Sequence, residues 1–328
     1  MILVAGGAGY IGSHTVYELI KQGYPVGVID NLQTGHRNAL HPKAAFFEGD
    51  IRDSAFLDDV FFHHEIQAII HFAASSLVGV SMTEPLAYYN NNVHGTEMLL
   101  TAMKNHGVES IVFSSTAAVY GEAKSELILE SDPTQPTNPY GETKLAIEKM
   151  MKWCDGAYGI KHVALRYFNV AGAGFGGIIG EDHRPETHLI PLILQVPLGR
   201  RKKISIFGTD YDTPDGTCIR DYIHVVDLAR AHILALKYLL DGRPSDVFNL
   251  GNGAGFSVRE MVDAARDVTG NPIPETEASR RAGDPPRLVA SSEKSRNVLG
   301  WKPEYTRVED IIASAWAWHQ THPEGYKE

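Results

Sequence analysis

Short apolar runs alternate with longer amphipathic segments through the first half of the chain. The runs stand at Ile2–Ala5, Val26–Ile29, Ala45–Phe47, Ala68–Phe72, Ser110–Ser114 and His162–Tyr167. Short runs of this kind, bounded by turn residues, read as strands buried on both faces. The segments between them read as helices, clearest at Ser13–Gln22, Glu84–His106 and Tyr140–Tyr158. Strands alternating with helices predict an α/β fold built on a doubly wound, Rossmann-like parallel sheet. Ligands of such sheets bind beyond the C-terminal ends of the strands. The residues there are Gly6, Asp30, Gly49-Asp50, Phe72-Ala73-Ala74, Ser114-Ser115-Thr116 and Phe168-Asn169.

After Asn169 the pattern changes. Residues 171–186 are rich in glycine and charge and read as a loop. A helix is predicted over Glu186–Leu198, a strand over Lys203–Phe207 and a polar loop over Thr209–Gly216. A helix runs to about Leu240, Asp246–Leu250 is strand-like, and a further helix starts at Ser257. Asn271–Arg287 reads as irregular, and a last helix lies near Val308–Gln320. We expect a dinucleotide-binding domain over 1–169, to which the segment near 225–251 returns, and a smaller mixed α/β substrate lobe over 170–328.

The chain has 328 residues, enough for a large core. Its 43% hydrophobic and 21% charged content is that of a soluble enzyme. No apolar run reaches membrane-spanning length and no basic leader precedes the first strand, so a cytoplasmic protein is expected. Two cysteines, Cys154 and Cys218, are too few for a disulfide framework. A net charge of −10 argues against a nucleic-acid surface. His183 and His188 stand five apart with no third ligand at a suitable spacing, so no metal site is expected.

Candidate chemistry begins at the first turn. Gly6, Gly9 and Gly12 form G-x-x-G-x-x-G between a strand and a helix, which lets the backbone approach a pyrophosphate at a helix N-terminus. The second strand ends in Asp30, which would accept hydrogen bonds from an adenosine ribose and repel a 2′-phosphate, so NAD is expected rather than NADP. Tyr140 and Lys144 lie one helical turn apart on one face. A nearby ammonium would lower the pKa of the phenol, and Thr116 supplies a hydroxyl for the same substrate oxygen. That trio can take a proton from an alcohol while a hydride leaves its carbon.

These residues resemble the extended short-chain dehydrogenase/reductase family, and within it the UDP-hexose 4-epimerases. The resemblance runs through Gly6–Thr15, Ile29–Leu32, Glu48–Asp53, His71–Ala74, Tyr88–Thr96, Phe113–Gly121, Pro139–Lys144 and Leu165–Ala173. It continues through Asp215–Ala229, Phe248–Gly253, Arg280–Pro286 and Leu299–Trp301. It implies NAD-dependent interconversion of UDP-galactose and UDP-glucose, by oxidation at C4, rotation of the 4-keto sugar and re-reduction, in a homodimer. It further implies that Gly6, Gly9, Tyr10, Ile11 and Gly12 hold the pyrophosphate. Asp30, Asn31, Leu32, Gln33, Thr34 and Gly35 would surround the adenosine ribose, and Asp50 and Ile51 the adenine. Phe72, Ala73, Ala74, Ser75, Ser76, Asn91, Tyr140, Lys144 and Phe168 would contact the rest of the dinucleotide. Thr116 and Tyr140 would meet the sugar 4-hydroxyl. Asn169, His188, Leu189, Ser205, Phe207, Arg220, Tyr222, Val258, Arg281 and Asp284 would hold UDP, and Leu288 would set the sugar range.

Three other readings are separable. A nucleotide-sugar dehydratase needs an acid beside the hydroxyl residue, and here Thr116 is followed by Ala117 and Ala118. A non-enzymatic NAD sensor on this fold would commonly lack the tyrosine or the lysine, and both are present. An epimerase of broader range would also accept UDP-N-acetylhexosamines.

Overall fold

The computed structural model describes residues 1–122, 125–281 and 285–327. Asp284 lies outside the described residues. The strands are β1 (Ile2–Ala5), β2 (Val26–Asp30), β3 (Ala45–Glu48), β4 (Ala68–His71), β5 (Ser110–Ser114), β6 (Lys161–Tyr167), β7 (Asn169–Ala171), β8 (Ile204–Phe207), β9 (Ile219–Arg220), β10 (Tyr222–His224), β11 (Asp246–Leu250), β12 (Phe256–Ser257), β13 (Glu275–Ala278) and β14 (Arg287–Leu288). Seven of them form one sheet in the order β11-β6-β5-β4-β1-β2-β3, every pair parallel. The order reverses between β1 and β4, which opens a crevice above their C-terminal ends.

Alternate strand residues feed two cores, because successive side chains leave a strand on opposite faces. Ile2, Val4, Ala68, Ile70 and Val112 pack on one face with α1 (Tyr10–Lys21), through Val16 and Leu19. Leu3, Ala5, Ile69, Ile111 and Phe113 pack on the other with α2 (Ser54–His63), through Leu57 and Val60. Helices α3 (Val78–Thr83), α4 (Pro85–Tyr88), α5 (Gly95–His106) and α6 (Pro139–Tyr158) follow on, and Leu99, Met103, Ile147 and Met151 join that second face. α6 starts where its sequence says it should: Pro139 occupies the first turn, and the Asn138 side chain accepts from the Gly141 N–H at 2.9 Å.

The later helices are α7 (Leu189–Leu194), α8 (Val225–Leu240), α9 (Val258–Thr269), α10 (Glu293–Leu299) and α11 (Val308–Thr321). α8 packs beside α1 on the first face of the sheet. Three small sheets, β10-β7, β12-β9-β14 and β13-β8, lie beyond it.

The structure departs from the sequence reading in four places. Glu84–His106 is a continuous helical run from Pro85, but not a regular α-helix: Tyr89–His94 within it is a π-helical turn. The predicted helix Glu186–Leu198 is confined to α7, because Pro185 precedes it and Pro197 disfavours helix at the residue before it. Asn271–Arg287 is not wholly irregular, since β13 pairs in parallel with β8, Glu275 opposite Ile204. Its sequence, Glu-Thr-Glu-Ala, carries little strand preference, so the partner supplies the conformation. α1 starts three residues before Ser13, at Tyr10.

Candidate active site

The glycine turn is shaped for a ligand that needs bare backbone. Gly6 has φ +80°, and a Cβ there would lie 2.5 Å from the Ala73 nitrogen. A Cβ on Gly12 would lie 2.1 Å from the Gly6 oxygen. The turn therefore closes against the loop after β4 and opens the α1 N-terminus, where unpaired N–H groups favour a phosphate. At the end of β2, Asp30 accepts from the Ala8 N–H through one oxygen and from the Leu32 N–H through the other, both at 2.9 Å. Each oxygen keeps a second lone pair for a diol. Burial pushes the Asp30 carboxyl up, against the hydrogen bonds from Leu32 and Ala8. Leu32 itself sits at φ +55°, which turns Asn31, Gln33 and Thr34 around the carboxylate. Gly35 packs against Ala8 and Asp30, which leaves no room for a side chain.

Asp50 is clamped by Arg52 (2.6 and 2.8 Å) and accepts from Asn31 at 3.0 Å; these bonds hold its carboxyl below the usual range. Ile51 is buried beside Gly95. Phe72 packs on His232, and Ala73 donates to the Ala5 carbonyl. Ala74 and Ser75 form a half-buried rim beyond β4, and Ser76 is exposed. That rim is held by Asn92, fully buried in the π-turn: Asn92 accepts from the Ser75 N–H (2.8 Å) and donates to the Ser75 carbonyl and the Thr143 hydroxyl, both 3.1 Å. Asn91 donates to the Ser75 hydroxyl at 3.2 Å. The sequence reading named Asn91 and missed Asn92; only the widened turn shows which asparagine points inward.

The trio expected from the sequence, Thr116, Tyr140 and Lys144, assembles at the end of β5 and the start of α6. Thr116 stands beside Tyr140, and its hydroxyl favours the phenolate form. The Thr116 oxygen also accepts from the Ala118 N–H at 3.1 Å. Lys144 is 2% exposed and donates to the Ser114 carbonyl at 2.8 Å. Its nitrogen stands 5.9 Å from the centre of the Tyr140 ring and 4.8 Å from that of Phe113. Here a sequence expectation is corrected: the protein alone does not acidify the phenol. Burial pushes Tyr140 up to about 12, against the Thr116 hydrogen bond. Burial pushes Lys144 down to about 7, with Glu148 opposing it. The site is dry enough that desolvation outweighs an ammonium at this distance.

A buried network absent from the sequence reading stiffens this edge. Arg166 grips Glu148 bidentately (2.5 and 3.0 Å), Ser115 donates to Glu148 (2.5 Å), and Arg166 donates to the Tyr120 hydroxyl (2.9 Å), which donates to Asn249 (2.7 Å). β6, α6, β11 and the Ser115–Tyr120 loop are thereby joined. Glu148 lies one turn beyond Lys144, the one signal in the sequence that could have pointed to it.

The remaining candidates lie on the small sheets and the elements beside them. Asn169 begins β7 in register with Tyr222 on β10. Arg220 donates to the carbonyls of Ile219 (2.7 Å) and Pro285 (2.8 Å), and is paired in register with Leu288. Leu288 is half-buried in a cluster with Phe168, Val119, Tyr120, Ile128 and Leu145. Arg281 stacks its guanidinium on Phe207, 4.3 Å from the ring centre. Ser205 lies two residues before Phe207 on β8, Val258 opens α9, and His188 with Leu189 opens α7. Asp221 was missed. It is fully buried and accepts from the N–H groups of Asn252 (2.6 Å), Ala290 (3.1 Å) and Gly253 (3.2 Å), tying three loops of this lobe together. The expectation that His183 and His188 stand without a third ligand is also corrected, because the fold brings Glu181 and Glu186 beside them.

Residues 2–251 match the NAD dependent epimerase/dehydratase family. The chain belongs to that family. A UDP-glucose 4-epimerase of Halalkalibacterium halodurans is 60% identical over 325 residues, covering 99% of this chain and 97% of the relative. A crystal structure of a UDP-glucose 4-epimerase is 61% identical with a TM-score of 0.99, covering 100% of this chain and 99% of its own. The Bifidobacterium longum UDP-glucose 4-epimerase, solved in complex with NAD+ and UDP, is 40% identical with a TM-score of 0.93 and 99% coverage of both chains.

Proposed function

We propose that this chain interconverts UDP-galactose and UDP-glucose with bound NAD. The observation that carries the reading is the buried Thr116–Tyr140–Lys144 group at the mouth of a glycine cradle closed by Asp30. NAD, when bound, takes the hydride from C4 of the sugar and returns it. Gly6, Gly9, Tyr10, Ile11 and Gly12 would hold its pyrophosphate, Asp30 its ribose, and Asp50 and Ile51 its adenine. Phe72 to Ser76, Asn91, Lys144 and Phe168 would hold the other end.

Tyr140 takes the proton of the 4-hydroxyl and gives it back, while Thr116 holds the same oxygen by a hydrogen bond. Lys144, fixed by the Ser114 carbonyl, supplies positive charge to the phenolate. Arg220 and Arg281 grip the diphosphate, to which a guanidinium is suited. Asn169, His188, Leu189, Ser205, Phe207, Tyr222 and Val258 line the uridine side, and Asp284 belongs to the same set. Firm grip on UDP with few contacts to the sugar lets the 4-keto sugar rotate before it is reduced.

The division into a dinucleotide-binding part (1–169, with 225–251) and a UDP-sugar part belongs to this proposal, as do a cytosolic location and a homodimer. Helices α3 to α6 support the dimer, since they carry exposed Met82, Leu86 and Trp153 on packed elements. No helix among the described residues is long and apolar enough to cross a membrane.

The test is a coupled assay of UDP-galactose conversion to UDP-glucose with no NAD added. Turnover is expected. Absence of turnover with either sugar, in protein shown to contain NAD, would overturn the reading.

A further inference from the structure

Between β7 and α7 the segment 181–188 carries a second constellation, which shares only His188 with the proposed UDP side. Glu181, His183, Glu186 and His188 bring one donor atom each to within 4.8 Å of one another. Glu181 Oε1 is 2.9 Å from His188 Nδ1 and 3.2 Å from His183 Nδ1. Glu186 Oε1 is 3.0 Å from His188 Nδ1, and Glu186 Oε2 is 3.8 Å from His183 Nδ1. A tetrahedral ion with nitrogen and oxygen ligands at ordinary zinc distances separates its donors by about 3.3–3.6 Å. The four separations bracket that value.

Three features favour a common centre over a set of pairwise hydrogen bonds. Both histidines turn the same ring nitrogen, Nδ1, inward. His188 Nδ1 faces two carboxylates at once, although one N–H can be aligned with only one acceptor. His183 Nδ1 is buried and makes no hydrogen bond, despite its 3.2 Å approach to Glu181. The carboxylates are also pre-oriented, as ligands of an ion are. Glu181 is 5% exposed. Glu186 Oε1 accepts from the N–H groups of Thr187 and His188, both at 2.7 Å. The cluster borders a cavity of about 590 Å³, which gives an ion a way in.

We infer that Glu181, His183, Glu186 and His188 form a binding site for one divalent first-row transition metal, zinc by preference, that staples the 181–188 segment. Imidazole and carboxylate together suit zinc better than calcium or magnesium, which take oxygen ligands. The staple matters because of what the segment touches. The His183 ring meets Tyr10 edge-on at 6.2 Å, His36 reaches the Asp182 carbonyl at 3.0 Å, and Trp318 donates to the Glu181 carbonyl at 3.3 Å. The ion therefore fixes the segment that joins the glycine turn and the loop after β2 to the start of α7, and it takes the Nδ1 of His188 while leaving Nε2 for the uridine side. The site needs nothing from the UDP assignment.

The test uses the NAD-bound protein, stripped with a chelator, dialysed, and titrated calorimetrically with zinc chloride. Cobalt substitution is read by visible absorption. One zinc per chain is expected, with the strong d–d bands of tetrahedral cobalt and a Tm that rises with zinc concentration. His183→Ala should weaken zinc binding by at least ~100-fold. Glu186→Gln, a milder change, should also weaken it and remove the cobalt bands, with bound NAD retained in both. The variant His63→Ala/His64→Ala, at an exposed histidine pair elsewhere, should bind as the parent does. No saturable zinc binding by the stripped protein would overturn the inference and leave the cluster as ion pairs only. Binding that is unchanged in both His183→Ala and Glu186→Gln would overturn it equally.

Discussion

Burial at the C-terminal edge of the sheet moves Tyr140 and Lys144 in opposite directions, the phenol up to about 12 and the ammonium down to about 7. Both shifts favour the neutral forms, as desolvation does, so the proton transfer assigned to Tyr140 needs charge that the bound ligands bring to the site. Tyr140→Phe removes the acceptor and should lower kcat by about 10²–10⁴-fold with bound NAD retained. Near-normal turnover in that variant would refute the assignment. Asp30 makes a chemical choice at the same scale. A 2′-phosphate beside its buried carboxylate is repelled in a partly desolvated site. Protein denatured in acid should release NAD or NADH, and NADP as the main nucleotide would contradict the role given to Asp30. Leu288 and Phe168 both pack on the cluster of Val119, Tyr120, Ile128 and Leu145, and Leu288 is the residue proposed to set the sugar range. Leu288→Tyr should suppress turnover of UDP-N-acetylhexosamines relative to the simple hexoses, by a factor within the range of about 1–3 kcal/mol that a methylene-sized change allows. Comparing kcat/KM for both substrate pairs in both proteins decides it, and an unmoved ratio places the gate elsewhere.

Among the elements, the loops of the smaller lobe depend on Asp221. Its carboxyl is raised from 3.8 to about 6 by burial, against three backbone N–H bonds. The folded state therefore holds its proton more tightly than the unfolded chain. That contribution to stability is present below pH 3.8 and is lost as pH rises toward 6, an effect of about 3 kcal/mol. Asp221→Asn should remove the pH dependence across that window. It should also cost about 1–3 kcal/mol throughout, because an amide N–H₂ replaces one acceptor facing backbone donors. Denaturant melts of both proteins at several pH values between 4 and 6 give the difference. A difference that does not vary with pH would assign the titration to other groups. The π-turn at Tyr89–His94 is a second case of an element serving a residue: widening the helix by one residue turns Asn92 inward to hold Ser75.

For the whole molecule, the seven-stranded sheet sets the crevice, and the proposed dimer draws on the exposed apolar side chains. Leu86 is 82% exposed and Trp153 78% exposed, on helices of the same face. Large apolar side chains left in water in this way mark an interaction surface. Sedimentation should show a dimer that Leu86→Glu with Trp153→Glu shifts to monomer, with NAD content unchanged. A parent protein that sediments as a monomer would remove that surface from consideration.

The strands of the seven-stranded sheet and β8, the glycine turn and the Tyr140–Lys144 spacing were legible along the chain, because each rests on local periodicity or on residues a few places apart; the short β7, β9, β10, β12, β13 and β14 were not. Ile2–Ala5 could be read as a strand buried on both faces because its own residues say so. Asp246–Leu250 reads as strand-like for the same reason. Its place beside β6 depends on a partner some 80 residues away, and β13 shows how little a strand's own residues can reveal when the partner supplies the conformation. The ionisation of Tyr140 was misjudged from spacing because the protein's own folding excludes the water on which the comparison with a free phenol depends. Asn92, Glu148, Arg166 and Asp221 could not be singled out, since a buried polar residue looks like a surface one until its partners are known. The same holds for Glu181 and Glu186. Carboxylates two and three residues from a histidine are ordinary in sequence, and only the path of the backbone through 181–188 turns all four side chains toward one point.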